Sequence, residues 1–155
     1  MLDGFHCHDV QTEDATIAAF IGGSGPPLLL LHGYPQTHFA WRHVAPVLAS
    51  DYTVVAPDLR GYGDSRGPQR ADASAYSKRT MARDQLAVMK QFGFDRFAVV
   101  GHDRGARVGY RMALDHPEAV RAYVSLTVVP TSEVWARQQG FRARRLSLDV
   151  VRSAL

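Results

Sequence analysis

The residues best suited to chemistry fall in one short run, Gly101-His102-Asp103-Arg104-Gly105. A short apolar segment, Arg96 to Val100, leads into it, and a helix-patterned segment, Gly105 to Leu114, leads out. Small residues on both sides of a central one let a strand turn sharply into a helix and leave the central side chain exposed at the helix N-terminus. This is the nucleophile-elbow pattern with aspartate as the nucleophile. A carboxylate is ionised at neutral pH, and a helix N-terminus favours its charge. Asp103 therefore needs no base to attack saturated carbon, and the product is an alkyl ester on the protein. A water activated by a histidine would then cleave that ester at the Asp103 carbonyl carbon.

Leu31-His32-Gly33-Tyr34-Pro35 follows an earlier buried strand. An elbow of this kind takes its oxyanion hole from the N–H after the nucleophile and one N–H from that earlier loop. The backbone N–H groups of Arg104 and Tyr34 are thereby assigned. His32 reads as a loop brace, because the catalytic histidine comes last in the chain order of such folds. Arg104 and Arg107 lie three apart on the first helical turn and share a face. Cations there oppose the helix dipole by about 0.3–1 kcal/mol each, so the pair suggests an anion held between them. Guanidinium groups hold carboxylates in a fork. The alternative partner is Asp58 or Asp64 in a nearby loop.

The elements that must position these groups alternate along the chain. Ala15 to Ile21 is β-prone and ends in a glycine turn, where the absence of a following Lys-Ser/Thr and helix argues against a phosphate loop. Pro27 to Leu31, Tyr52 to Ala56, Arg96 to Val100 and Val120 to Val129 read as strands buried on both faces. His38 to Ala49, Tyr76 to Phe92 and Gly105 to Leu114 read as helices, and the glycine- and proline-rich stretch from Pro57 to Pro68 as loop. Strands alternating with helices mean an α/β fold with a mostly parallel sheet flanked by helices. Ligands bind beyond the carboxyl ends of such strands.

The 155 residues suffice for one domain with a core. With 46% hydrophobic and 21% charged residues, the composition excludes a disordered or fibrous chain. Much of the net charge of +3 comes from Arg137, Arg142, Arg144, Arg145 and Arg152, read as a solvated face. No interleaved aromatics point to nucleic acid. The single cysteine, Cys7, has no partner for an intrachain disulfide. His6-Cys7-His8 cannot easily converge on one ion and reads as a mobile N-terminus, so no metal or cofactor is expected. No signal peptide or membrane-length apolar run is visible, and a cytoplasmic location with no membrane partner is expected.

His32-Gly33-Tyr34-Pro35, Pro57-Asp58-Leu59-Arg60-Gly61-Tyr62-Gly63-Asp64-Ser65 and Gly101-His102-Asp103-Arg104-Gly105 together resemble the α/β-hydrolase superfamily, over nearly the whole chain to about Ser132. An aspartate elbow resembles its dehalogenase and epoxide-hydrolase branches. Gly101-His102-Asp103-Arg104-Gly105-Ala106-Arg107, Pro35-Gln36-Thr37-His38, Tyr76-Ser77-Lys78-Arg79 and Val129-Pro130-Thr131 look like the haloacetate (fluoroacetate) dehalogenases. The resemblance implies an α/β-hydrolase fold and hydrolytic dehalogenation of a halogenated carboxylate through an Asp103 ester. It also implies that Arg104 and Arg107 bind the substrate carboxylate. An epoxide hydrolase is the alternative, though an uncharged epoxide has no need of an arginine pair.

Two departures from the family pattern stand out. No histidine follows the fourth buried strand, so the triad histidine is expected to be absent from these residues. Thr127 stands where the dehalogenases carry an aspartate, and a threonine cannot hold an imidazolium as a carboxylate does. Glu133 lies beyond the strand end and is not a convincing replacement. Residues 1–132 are expected to form the N-terminal part of the core, truncated after about the sixth strand. Residues 133–155 are expected to begin a helical cap or to be an out-of-frame tail. A non-catalytic fragment is then the third reading of the chain.

Overall fold

A computed structural model describes residues 2–68 and 74–128. Its elements are β1 (His6–Gln11), β2 (Thr16–Gly22), β3 (Pro27–Leu31), a short 3-10 helix (His38–Trp41), α1 (Ala45–Leu48), β4 (Thr53–Pro57), α2 (Lys78–Gln91), β5 (Phe97–His102), α3 (Arg104–Asp115) and β6 (Val120–Leu126). The strands form one sheet in the order β1-β2-β4-β3-β5-β6. β1 and β2 run antiparallel at one side, and β4, β3, β5 and β6 are parallel.

β3 is the pivot of this order. The chain leaves it towards β4 on one side and returns to β5 on the other. Connections from neighbouring strands that depart in opposite directions open a crevice at the strands' carboxyl ends, the place where α/β sheets bind ligands. The run Leu28-Leu29-Leu30-Leu31 shows why β3 can occupy the centre. Alternate side chains point to opposite faces, and every one of them meets apolar partners. Leu29 and Leu31 join a core with Val55, Met81, Val88, Met89, Val108 and Met112, under α2 and α3. Leu28 and Leu30 join a second core with Phe20, Trp41, Ala45 and Val54 on the opposite face.

Local signals explain the helix limits. The Ser77 hydroxyl accepts the Thr80 N–H at 3.1 Å and starts α2. The helix stops before Gly93, whose φ of +83° suits glycine. The single helix expected over His38 to Ala49 is instead two short pieces. Pro46 has no N–H to give to a preceding turn, and it sits where a new helix can begin.

Two further expectations need correction. His6-Cys7-His8 is not a mobile terminus: it opens β1, which pairs residue by residue with β2 from His6 opposite Ile21 to Gln11 opposite Thr16. Only Val10 of this strand is buried. Backbone pairing builds it, so it has no hydrophobic alternation to announce it. The strand starting at Val120 is not buried on both faces either. It ends at Leu126, and Val124 and Leu126 are exposed. Residues 129–155, including Glu133, the arginine-rich stretch and the second expected segment, lie outside the described residues. No helix among the described residues is long and apolar enough to cross a membrane.

Candidate active site

Asp103 is the single residue between β5 and α3, with φ +46° and ψ −109°. A non-glycine residue in such a conformation costs on the order of 1–3 kcal/mol and persists only where its surroundings fix it. Those surroundings are tight. A Cβ on Gly101 would lie 2.5 Å from the Ala106 Cα, and one on Gly105 would strike the Leu31 carbonyl. The two glycines let α3 fold back against β5 and the end of β3. Gly33 performs the same service from the facing loop, where a Cβ would come within 2.9 Å of the Asp103 Cβ. The Asp103 N–H donates to the Leu126 carbonyl at 3.1 Å, tying the elbow to the end of β6. Thr127 follows there directly, at φ +58°.

The Tyr34 N–H donates to Asp103 Oδ2 at 3.0 Å. This hydrogen bond holds the Asp103 carboxyl below the usual carboxylate range; burial opposes it, and the Arg104 N–H and the charges of His102 and Arg107 assist. Asp103, Tyr34 and Arg104, separated in sequence by as many as 70 positions, thus meet at one point. The nucleophile candidate is an ionised carboxylate, and of the two backbone donors named from the sequence the Tyr34 N–H is hydrogen-bonded to it.

Arg104 and Arg107 carry no carboxylate partner among the described residues, so the ion pair considered as an alternative is not formed. Asp58 is committed elsewhere. Its Oδ1 accepts the His38 backbone N–H at 2.6 Å and the His38 Nδ1–H at 2.9 Å, and its Oδ2 accepts the Asp64 N–H at 3.0 Å. Burial pushes the Asp58 carboxyl up, but the His38 and Asp64 hydrogen bonds prevail and hold it below its ordinary value. Arg104 instead lies against aromatic rings, 5.4 Å from the Tyr34 centroid and 5.7 Å from that of Tyr62.

His32 is fully buried. Its Nδ1–H donates to the Gly33 carbonyl at 2.9 Å and its Nε2 accepts the Leu59 N–H at 2.9 Å. One ring nitrogen must carry a hydrogen and the other a lone pair, so the ring is neutral. Burial is the strongest influence on the ring and lowers its pKa in the same sense. It clasps the loop after β3 to the loop after β4 and has no free atom for catalysis.

Three site residues were not picked out as such from the sequence. Gln36 Oε1 accepts from Gly33 N–H at 3.3 Å and lies 3.1 Å from His102 Nδ1, bridging the loop and the elbow. Tyr62 provides one of the two rings against Arg104. Lys78 begins α2 half-buried, and burial, then the charges of Arg104 and Arg107, lower its pKa, while Asp103 opposes them. Gln36 and Lys78 fall inside strings that carried the family resemblance, but nothing in their spacing shows that they converge.

The alpha/beta hydrolase fold model matches residues 26–149. The chain is 51% identical over 145 residues to a fluoroacetate dehalogenase from Burkholderia sp, covering 93% of this chain and 48% of that protein. It is 40% identical over 130 residues to a soluble epoxide hydrolase from Corynebacterium sp., covering 84% of the chain and 41% of the relative. A solved structure of a candidate epoxide hydrolase from Pseudomonas aeruginosa superposes with a TM-score of 0.83 at 62% identity, over 88% of this chain and 45% of that one. The chain thus spans about half the length of the relatives it matches. With the family model covering most of its residues and the elbow formed at the carboxyl end of β5, the chain belongs to the α/β-hydrolase fold family.

Proposed function

We propose that this protein belongs to a hydrolase that removes halogen from a short haloacid of the haloacetate type, with Asp103 as nucleophile. The observation that carries the reading is an ionised carboxylate, Asp103, beside two arginines that form no ion pair with a carboxylate among the described residues. Arg104 and Arg107 bind the substrate carboxylate. Asp103 Oδ2 is anchored by the Tyr34 N–H, and Oδ1 attacks the carbon that bears the halogen. The new bond is Oδ1–carbon; the carbon–halogen bond breaks and its electron pair leaves as halide. In the second half-reaction water adds to the Asp103 carbonyl carbon, and charge on Oδ2 grows against the N–H groups of Tyr34 and Arg104. Donors of this kind are worth about 3–4 kcal/mol each to such a step.

Water attack requires a general base. No described histidine shares a hydrogen bond with Asp103, and His102 directs its Nδ1 to Gln36. The described residues therefore support the displacement step by themselves and not the turnover that follows it. The names of the relatives divide between dehalogenase and epoxide hydrolase. The unpaired arginines favour the acid over the neutral epoxide. Incubation with chloroacetate is expected to release chloride and to place a covalent adduct on Asp103. Absence of both chloride and covalent adduct refutes the assignment, and adduct formation with a small epoxide but not with chloroacetate transfers it to the epoxide branch.

A further inference from the structure

Arg104 is steered by rings where an acidic residue would ordinarily hold it. Its guanidinium carbon lies 5.4 Å from the Tyr34 centroid and 5.7 Å from the Tyr62 centroid. The two rings are 6.4 Å apart and nearly perpendicular, at 88°. They form two walls of a corner with the cation against both. The corner is not free to drift, because Tyr62 packs edgewise on His32 at 5.4 Å, and both ring nitrogens of His32 are fixed by backbone hydrogen bonds. Tyr62 also packs against the apolar core beneath α2 and α3. Tyr34 is largely exposed, so its ring is the outer wall of the corner.

The chemistry of this arrangement differs from that of an ion pair. A carboxylate would occupy the planar fork of N–H donors and cancel the charge, whereas a ring face attracts the cation and leaves its donors available. Arg107 follows one turn along α3, and the charges of Arg104 and Arg107 both act on Lys78 at the start of α2, so the ring faces hold Arg104 against like-charge repulsion. With no ring to lean on, Arg104 would swing outward to water.

We infer that Tyr34 and Tyr62 are positioning residues that form an aromatic corner, aiming the Arg104 guanidinium at the carboxylate of an anionic substrate and so setting the preference for acids over neutral analogues. The inference rests on the carboxylate-binding reading of Arg104.

The test compares alkylation of Asp103 by chloroacetate with alkylation by its neutral analogue chloroacetamide, the adduct on Asp103 being quantified by peptide mapping so that modification of Cys7 does not enter. Tyr62→Leu is expected to lower the ratio of the two rates about fivefold to tenfold, between the scale of an exposed and that of a desolvated cation–π contact. Tyr62→Phe, which keeps the ring face, should stay within about twofold of the parent on the same scale. Tyr34→Leu changes an exposed ring and is expected to act in the same direction, which decides the matter should Tyr62→Leu fail to fold. A parental ratio in both leucine variants, with Arg104→Ala lowering it, overturns the corner and leaves the carboxylate reading standing. A parental ratio in Arg104→Ala refutes the carboxylate reading itself. A drop in Tyr62→Phe equal to that in Tyr62→Leu also overturns the corner, because the hydroxyl would then be responsible.

Discussion

Two arginines in this molecule have opposite surroundings. Arg60 is almost fully buried, and its donors are spent: Nε and Nη2 reach Asp84 at 2.6 Å each, Nη2 and Nη1 reach Asp14, and Nη1 also donates to the Ala75 carbonyl at 2.7 Å. The Asp84 hydrogen bonds raise its pKa beyond its already high value. Arg104 touches two rings and no carboxylate among the described residues. A guanidinium with every donor satisfied by protein acts as a tie between segments, here the loop after β4, the β1–β2 turn and α2. One whose donors stay open next to an ionised aspartate is able to receive a ligand. The residue type is the same; what separates the roles is whether the protein supplies the anion.

The largest effect expected is on the nucleophile these arginines are compared around. Asp103→Asn should abolish adduct formation with chloroacetate, since a neutral amide oxygen lacks the charge that makes the displacement possible without a base; intact mass spectrometry checks it. On the structural side, Asp84→Ala leaves Arg60 charged, buried and half-paired, and should destabilise the fold by about 3–5 kcal/mol. Asp14, whose side chain is 44% exposed, should cost no more than about 1 kcal/mol when replaced by alanine. Urea unfolding of both variants measures the contrast, and equal costs would break it.

Arg104→Ala and Arg107→Ala should each lower the preference for chloroacetate over chloroacetamide by about 10- to 100-fold, the worth of a charge-assisted hydrogen bond. Neither should change stability by more than about 0.5 kcal/mol, because each removes an unfavourable dipole interaction, which for Arg104 offsets the lost ring contacts. A large loss of stability would make Arg104 a second Arg60. The smallest effect is that of pH. The Tyr34 N–H lowers the Asp103 pKa, so the reactive ionised form persists below the ordinary carboxylate value of about 3.9. By the same sign, whatever stability this hydrogen bond adds is present above that value and is lost as pH falls through the lower folded pKa. The alkylation rate should be flat from neutral pH down to about 4, near the ordinary carboxylate value; a rate already halved at pH 5 would contradict the hydrogen bond.

The elbow was legible because its signals are local. Gly101, Asp103 and Gly105 lie within five positions, and the apolar run before them and the helical pattern after them need no distant information. The central strands were legible for a related reason: Leu28 to Leu31 is apolar at every position because both faces are covered. β1 was not, since its side chains are mostly solvated and its pairing with β2 leaves no mark in residue type. Exposure of Val124 and Leu126 was equally hidden, because strand composition reports the side chains and not what lies over them. The ring corner around Arg104 was out of reach: Tyr34 and Tyr62 come from two loops and Arg104 from the start of α3, and only their convergence in space gives them a shared role. The partners of Arg60 illustrate the same limit, since Asp14 and Asp84 lie far from it on opposite sides in the sequence.

The most direct measurement is residue-level localisation of the covalent product by tandem mass spectrometry after exposure to chloroacetate, with the Asp103→Asn variant alongside. The account predicts a single carboxymethyl ester on Asp103 that is absent from the variant. Modification spread over Cys7 and surface histidines at equal levels in both proteins, with Asp103 untouched, would contradict it.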